Sequence, residues 1–201
     1  MREGFVDLRE AIPGLSVEAR YATPNNLTGA PMPGYDRPTA VGTVEMAQAL
    51  SRALTLAKRM GFGLLVYDAY RPQRAVDRLV SWCAEPEDPA ARERWHPAVP
   101  RDELIRRGYI AATSGHTRGS VVDLTLTDAH GVPLDMGTTF DFMDPSSGHP
   151  FRDLPEEVLA RRATLRSLMA WAGFEPYECE WWHYRLMGEP YPDTYFDFPI
   201  E

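Results

Sequence analysis

Two histidines and an aspartate that lie far apart in the chain have the side chains needed for one metal site. His116 and Asp123 belong to the run from Ser114 to Asp123, and His183 ends the run from Glu180 to His183. Two imidazoles and one carboxylate fill three corners of a zinc tetrahedron and leave the fourth for water. Glu180 stands three residues before His183, where it could take the proton of that water. The pattern therefore indicates the metal and the base that a hydrolytic reaction needs.

Asp123 gives this interpretation most of its weight. A carboxylate inside an otherwise apolar strand is costly unless it is paired or bound to a metal. The alternative is a buried ion pair, with Arg118 as the partner. We interpret the other histidines, His96, His130 and His149, as ordinary surface or core residues. Spacing alone leaves the metal site and the ion pair equally open, since short motifs often mislead.

Arg71 is the candidate for the positive charge that a hydrolytic transition state requires. The oxyanion that develops when water attacks an amide carbon needs a fixed donor beside it. Arg71 lies in the segment from Tyr67 to Pro72, where a predicted strand leads into a predicted helix. The alternative is a helix-end residue that pairs with Asp68 or Asp77, and the sequence leaves both interpretations open.

Hydrophobic periodicity predicts the helices that must hold these residues in place. Apolar residues at three- and four-residue steps predict a helix from Thr43 to Met60. Pro72 suits the first turn of a second helix, and a short third helix is predicted at Arg101–Arg107. A fourth helix is predicted from Pro155 to Trp171, with Gly173 as its end.

Apolar and aromatic runs predict the strands, which are Phe62–Tyr67, Ser120–Thr127 with a hairpin partner from Val132, and Glu180–Leu186. Residues three apart in a regular strand face opposite sides of a sheet. Because Glu180 and His183 must reach the same metal, we expect a bend or bulge between them, or a strand that ends before His183. Helices and strands mix without regular alternation. This predicts an α+β fold, one domain over residues 1–201, with a mainly antiparallel sheet flanked by helices.

The composition is that of an ordinary globular protein and excludes some functions. The 201 residues carry a net charge of −8 without a block of like charge, which argues against nucleic acid as a partner. The first residues show no apolar run and no cleavage site, and no stretch is long and apolar enough for a membrane span. We therefore expect a cytoplasmic protein with no membrane partner. Cys83 and Cys179 are expected to be buried free thiols.

At the residues named above, the chain resembles the D-alanyl-D-alanine dipeptidases of the VanX type. These are zinc peptidases related to D,D-carboxypeptidases and to hedgehog-like domains. The family pattern Ser-x-His-x-x-Gly-x-x-x-Asp stands at 114–123, Glu-Trp-Trp-His at 180–183 and Tyr-Arg-Pro at 70–72. Flanking blocks extend the resemblance over nearly the whole chain, at 20–23, 28–29, 34–35, 140–144 and 189–199. The metal motif marks the superfamily, whereas the flanking blocks are specific to the dipeptidases.

The resemblance implies a catalytic centre built on one zinc ion per chain. His116, Asp123 and His183 would hold the ion. Glu180 would be the general base and then the acid toward the leaving amine. Arg71 would stabilise the tetrahedral intermediate.

The resemblance also implies residues that bind the substrate. Tyr21 and Ser114 would contact the substrate carboxylate, and Asp141 and Tyr35 would lie near its ammonium group. A dipeptidase must enclose both charged ends of a small zwitterion, and the irregular loop from Thr23 to Pro38 is a candidate for the lid of such a pocket.

Three functional hypotheses follow. The leading one is hydrolysis of D-Ala-D-Ala in the cytoplasm, which would deplete the wall precursor that glycopeptide antibiotics recognise or recycle wall dipeptides. The second is a D,D-carboxypeptidase or muropeptidase that acts on longer peptidoglycan stems, which a closed pocket would exclude. The third is a non-catalytic binding module stabilised by zinc, against which the presence of both Glu180 and Arg71 speaks. A small dipeptide is the expected partner, and the oligomeric state, a homo-oligomer included, stays open.

Overall fold

A five-stranded sheet forms the centre of the fold and carries two of the candidate metal ligands, Asp123 and His183. The computed structural model describes residues 1–201. The helices are α1 (Leu8–Ala11), α2 (Val44–Arg59), α3 (Gln73–Cys83), α4 (Pro89–Trp95) and α5 (Glu156–Ala172). The strands are β1 (Phe5–Asp7), β2 (Ser16–Val17), β3 (Val41–Thr43), β4 (Gly63–Asp68), β5 (Val121–Thr127), β6 (Phe174–Pro176) and β7 (His183–Leu186). Short 3₁₀ turns lie at Arg20–Ala22, Arg101–Glu103, Gly115–Arg118 and Pro145–Ser147.

The sheet has the strand order β2-β4-β5-β7-β6, and only the β2–β4 pair is parallel. This confirms the predicted α+β fold with a mainly antiparallel sheet. Strand β5 lies between β4 and β7, and all seven of its residues are buried. Asp123 on β5 pairs with Asp68 on one side and with His183 on the other. The register therefore places three polar residues side by side across three neighbouring strands.

The two long helices match their predictions within one residue at each end. Helix α2 begins after Thr43, whose hydroxyl accepts the Met46 N–H at 3.3 Å, as a capping residue does. Helix α5 ends at Gly173, which adopts φ 98°. Their apolar stripes are buried as predicted, and the two helices pack against each other and against the sheet. No helix combines the length and the apolar content that crossing a bilayer requires.

Two predicted elements were wrong. The hairpin partner expected from Val132 is reduced to a single bridge between Thr127 and Pro133, because proline lacks the N–H that would extend a ladder. The helix expected at Arg101–Arg107 is only a 3₁₀ turn at Arg101–Glu103. Few apolar residues in that segment are buried, so little packing supports a longer helix.

Gly119 connects the turn that holds His116 to strand β5. It adopts φ 84°, and a Cβ built on it collides with the ring of Phe5. We expect Gly119→Ala to lower the free energy of unfolding by about 2–4 kcal/mol, the sum of left-handed backbone strain and overpacking. Urea denaturation measures this loss. Gly131→Ala is the matched control, since Gly131 has φ 82° but no atom within 4 Å of the added Cβ. An equal loss in the two variants would contradict the clash with Phe5.

Candidate active site

The three predicted metal ligands converge on one point. His116, Asp123 and His183 each offer a ligand atom, and these atoms all lie within 4.8 Å of one another. His116 Nε2 lies 3.3 Å from Asp123 Oδ2 and 3.4 Å from His183 Nδ1. His183 Nδ1 in turn lies 3.2 Å from Asp123 Oδ1. The structure therefore brings together residues that are as much as 67 positions apart in the chain.

Local structure accounts for the orientation of His116. Its Nδ1 lies 2.7 Å from the carbonyl oxygen of Ala69, at the end of the β4 segment. A carbonyl only accepts a hydrogen bond, so this contact assigns the proton to Nδ1 and leaves Nε2 with a free lone pair. That lone pair faces the other two ligands, as metal-binding histidines require.

The donor set fits a zinc ion. Two nitrogens and one carboxylate oxygen are the ligands that catalytic zinc sites use. Asp123 is 2% exposed, and its Oδ1 has no hydrogen bond of suitable geometry in the chain. Burial by itself raises the pKa of Asp123, but His116 and His183 outweigh it and hold the pKa well below its usual range. A buried, ionised oxygen without a hydrogen-bond partner is costly unless a cation binds it.

The charge balance around the site also favours a bound cation. Asp68, Asp123, Asp141 and Glu180 are all buried carboxyl groups, whereas Arg71 is the guanidinium that lies among them. Burying an unbalanced group of carboxylates carries a high desolvation cost. A divalent metal and a cationic group of a substrate would offset this negative charge.

Glu180 lies in the turn immediately before β7, because the strand begins only at His183. The expected bend between the two residues is thus a turn, and the predicted start of the strand at Glu180 was wrong, because the strand begins at His183. Glu180 Oε2 lies 3.4 Å from His183 Nδ1. Burial, reinforced by Asp123, raises the pKa of Glu180 to about 7, although His183 and Arg71 oppose the shift. A carboxyl group with this pKa can both accept and return a proton near neutral pH.

Arg71 forms the ion pair with Asp68 that the alternative interpretation expected, and it also lies beside the metal ligands. Its Nη2 lies 2.9 Å from Asp68 Oδ2 and 3.7 Å from Asp123 Oδ2, so the guanidinium pairs with Asp68 and also borders the metal ligands. It stacks over the ring of Tyr21 at 4.6 Å. Arg118, the alternative partner of Asp123, instead binds Glu189 at 2.8 Å.

These residues border a cavity of about 260 Å³. Its polar lining comprises Tyr21, Arg71, Ser114, His116, Asp123, Asp141, Tyr177, Glu180 and His183. Its apolar wall includes Val76, Leu79, Ile110 and Met143. The volume lies below the range of about 300–1,000 Å³ for pockets that hold drug-sized ligands. The cavity is therefore suited to a small molecule.

The cavity is lined by a segment other than the expected lid. Residues 108–111 and 113–115 line the cavity, whereas the loop Thr23–Pro38 contributes none of the lining. The Tyr177 hydroxyl donates to the carbonyl of Gly108 at 3.2 Å and ties this wall to the turn before β7. Cys179, in the same turn, is exposed rather than buried, so the prediction for this thiol was wrong, whereas Cys83 is buried as expected.

Asp141 and Tyr21 lie together at one end of the cavity. The Tyr21 hydroxyl donates to Asp141 Oδ2 at 3.0 Å. Asp141 is 5% exposed, and burial raises its pKa well above the usual range. It is also the one non-glycine residue with positive φ, at 62°, a strained conformation that often occurs at functional sites.

The two remaining predicted substrate-binding residues, Ser114 and Tyr35, differ in whether they line the cavity. Ser114 lines the cavity, and its Oγ accepts the N–H of His116 at 3.3 Å. Tyr35 is not part of the lining, since its hydroxyl donates to Asp68 Oδ1 at 2.7 Å, behind Arg71. From the sequence, Asp68 was identified only as a possible ion-pair partner of Arg71. An acid at the end of a buried apolar strand was the signal that could have marked Asp68 as part of the site.

Comparison with known proteins agrees with this geometry. The family model of peptidase M15, the D-Ala-D-Ala dipeptidases, matches residues 1–201. A D-alanyl-D-alanine dipeptidase of Streptomyces coelicolor is 51% identical over 197 residues, which are 98% of this chain and 96% of that protein. One of Enterococcus faecium is 45% identical over 202 residues and all of both chains.

Among solved structures, a crystal structure of the vancomycin resistance D,D-pentapeptidase VanY in complex with Zn(II) covers 78% of each chain. Its TM-score is 0.41 and its sequence identity 19%, and we draw nothing from a likeness this distant. The full-length family match and the two close relatives decide the assignment. The chain belongs to peptidase family M15, the metallopeptidases that include the D-Ala-D-Ala dipeptidases.

Proposed function

We propose that this chain hydrolyses D-Ala-D-Ala to two D-alanines, with one zinc ion held by His116, Asp123 and His183. The observation that carries the proposal is the convergence of these ligands, Glu180 and Arg71 on one small cavity. All of these side chains come from one chain.

The catalytic base in this proposal is Glu180. His116, Asp123 and His183 would hold a zinc ion, which would supply Lewis acidity toward water and the scissile carbonyl. Glu180 accepts the proton of the attacking water and returns it to the leaving amine. Its carboxyl lies close enough to the metal position for both proton transfers, since Oε2 is 3.4 Å from His183 Nδ1.

Arg71 stabilises the oxyanion in this proposal. Its guanidinium is buried beside the ligands, where a fixed positive charge acts in a medium of low dielectric constant. The pKa of Arg71 is raised above its ordinary value, because nearby carboxyl and phenol groups more than offset its burial. It therefore remains charged throughout the reaction.

In this proposal, different polar residues of the cavity bind the ammonium group and the carboxylate of the dipeptide. Asp141 binds the ammonium group of the substrate. The positive charge of the ammonium offsets the cost of burying the Asp141 carboxylate. Tyr21, which the family resemblance implied at the substrate carboxylate, is instead proposed to support the ammonium contact, since its hydroxyl already donates to Asp141. Ser114 contacts the substrate carboxylate from the wall that carries His116.

The small cavity favours a dipeptide over a longer stem. Residues 108–111 and 113–115 line one wall of this space, and the hydrogen bond of Tyr177 to Gly108 holds that wall to the turn before β7. The biological role that we propose is depletion of the D-Ala-D-Ala precursor, as in glycopeptide resistance, or recycling of wall dipeptides, both in the cytoplasm.

The test is to incubate zinc-loaded protein separately with D-Ala-D-Ala, L-Ala-L-Ala and a pentapeptide that ends in D-Ala-D-Ala. We expect rapid release of D-alanine from the first substrate and at least about a hundredfold lower kcat/KM for the other two. Comparable cleavage of the pentapeptide would favour a carboxypeptidase, and absence of all cleavage would favour a binding module.

A further inference from the structure

Asp68 is a buried carboxylate beside the site to which the proposed reaction assigns no role. Its side chain is 2% exposed. It lies opposite Asp123 because the ladder between β4 and β5 is irregular between Val66 and Asp68. The extra residue, Tyr67, shifts the register so that Asp68 rather than Tyr67 faces Asp123. The irregularity thus brings Asp68 to the position beside the metal ligands.

Three donor groups converge on this carboxylate. Arg71 Nε donates to Oδ2 at 3.0 Å, and Arg71 Nη2 lies 2.9 Å from the same oxygen in the ion pair. The Tyr35 hydroxyl donates to Oδ1 at 2.7 Å. Because both contacts from Arg71 use one edge of the guanidinium, its Nη1 is left without an acceptor in the chain. That nitrogen can donate to an oxyanion without giving up the ion pair.

A guanidinium on a long side chain does not hold one orientation by itself, since its torsions carry large conformational entropy. Charge-assisted hydrogen bonds to a fixed carboxylate remove that freedom before the substrate binds. The Arg71 guanidinium also packs over the ring of Tyr21, whose centroid lies 4.6 Å from the guanidinium carbon. The pair is therefore preorganised, which is the property that electrostatic catalysis requires.

We propose that Asp68, itself oriented by the Tyr35 hydroxyl, is the positioning residue that fixes the Arg71 guanidinium beside the metal ligands. This inference rests on the proposed function, in which Arg71 stabilises the oxyanion. It also assigns Tyr35 a place in the support of Arg71 rather than at the substrate ammonium. Tyr35 does not line the cavity, and its hydroxyl donates to Asp68.

The first test is Asp68→Asn, which keeps the shape of the side chain and removes its charge. We expect kcat for D-Ala-D-Ala to fall about ten- to hundredfold with KM within about threefold, because a charge-assisted contact that acts in the transition state is weakened. Asp77→Asn is the matched control, since Asp77 is exposed on α3 and should leave kcat unchanged. A kcat within twofold of the wild type for Asp68→Asn would overturn the proposal.

The second test places Asp68→Asn in an Arg71→Ala background. If Asp68 acts through Arg71, the double variant should lose less than about twofold beyond Arg71→Ala alone. A purely structural role of Asp68 predicts the same further loss in both backgrounds, and this result would overturn the proposal. Tyr35→Phe provides an independent variant if Asp68→Asn does not fold, with an expected loss of kcat of about three- to tenfold.

The third test does not depend on activity. In protein labelled with ¹⁵N-arginine, the Nε–H of Arg71 should give a slowly exchanging resonance that is absent from Arg71→Ala. We expect this resonance to exchange faster in Asp68→Asn and to persist in Asp77→Asn. Equal exchange in the two variants would contradict the ion pair as the restraint. If the wild type does not hydrolyse D-Ala-D-Ala, the proposed function fails, whereas the exchange rates still test the positioning of Arg71.

Discussion

Glu180→Ala is expected to lower kcat for D-Ala-D-Ala by about 10²–10⁴-fold, the usual contribution of general acid–base catalysis. Glu180 Oε2 lies 3.4 Å from a metal-ligand nitrogen, and no other carboxyl on the turn before β7 borders the cavity. The three ligands are untouched by the change, so the variant should keep the zinc content of the wild type. Steady-state kinetics and metal analysis on the same preparation measure both quantities.

Glu178→Ala is the matched control for this prediction. Glu178 lies two residues away in the same turn, but it is exposed and binds Arg166 at 2.7 Å. Its removal should leave kcat within about twofold of the wild type. Activity of Glu180→Ala within a few-fold of the wild type, with zinc retained, would remove Glu180 from the mechanism.

Arg71→Ala is expected to lower kcat by about 10²–10³-fold, as the loss of an oxyanion donor does in other hydrolases. The guanidinium borders the ligands, and its side chain is 11% exposed. If the interaction forms only in the transition state, kcat and kcat/KM should fall together. Initial rates over a range of D-Ala-D-Ala concentrations separate this result from a loss of substrate binding.

The matched control is Arg74→Ala, since Arg74 lies three residues further on, in the first turn of α3, and forms an exposed ion pair with Asp197 at 2.9 Å. Exposed pairs contribute little, so kcat and stability should hardly change. An unchanged kcat in Arg71→Ala, or a rise in KM alone, would contradict the oxyanion role.

Much of the site could be predicted because the chemistry of its residues is unusual in their local settings. Asp123 stands out as an acid in an apolar strand, and the structure places it in β5 between β4 and β7. The separation of Glu180 from His183 also followed from strand geometry, and β7 begins only at His183. Helix α2 was predictable because its apolar residues recur with the period of a helix.

The features that could not be predicted depend on contacts between distant segments. The register that places Asp68 opposite Asp123 follows from an irregularity in β4, and no residue type in this segment predicts that irregularity. The hydroxyl of Tyr35 reaches Asp68 across 33 residues of chain, so its partner was hidden from local patterns. The wall at 108–115 borders the cavity through loop packing, which carries no periodic signal. The local sequence thus identified the reactive side chains, whereas tertiary packing determines which residues hold those side chains in position.

The most direct test of the account is anomalous diffraction at the zinc edge from crystals of the zinc-loaded protein. We predict one strong peak per chain at about 2.0–2.2 Å from His116 Nε2, His183 Nδ1 and an Asp123 carboxylate oxygen, the usual zinc–ligand distances. A strong peak bound by other residues, or no peak between these three side chains, would contradict the metal site on which the proposed hydrolysis depends.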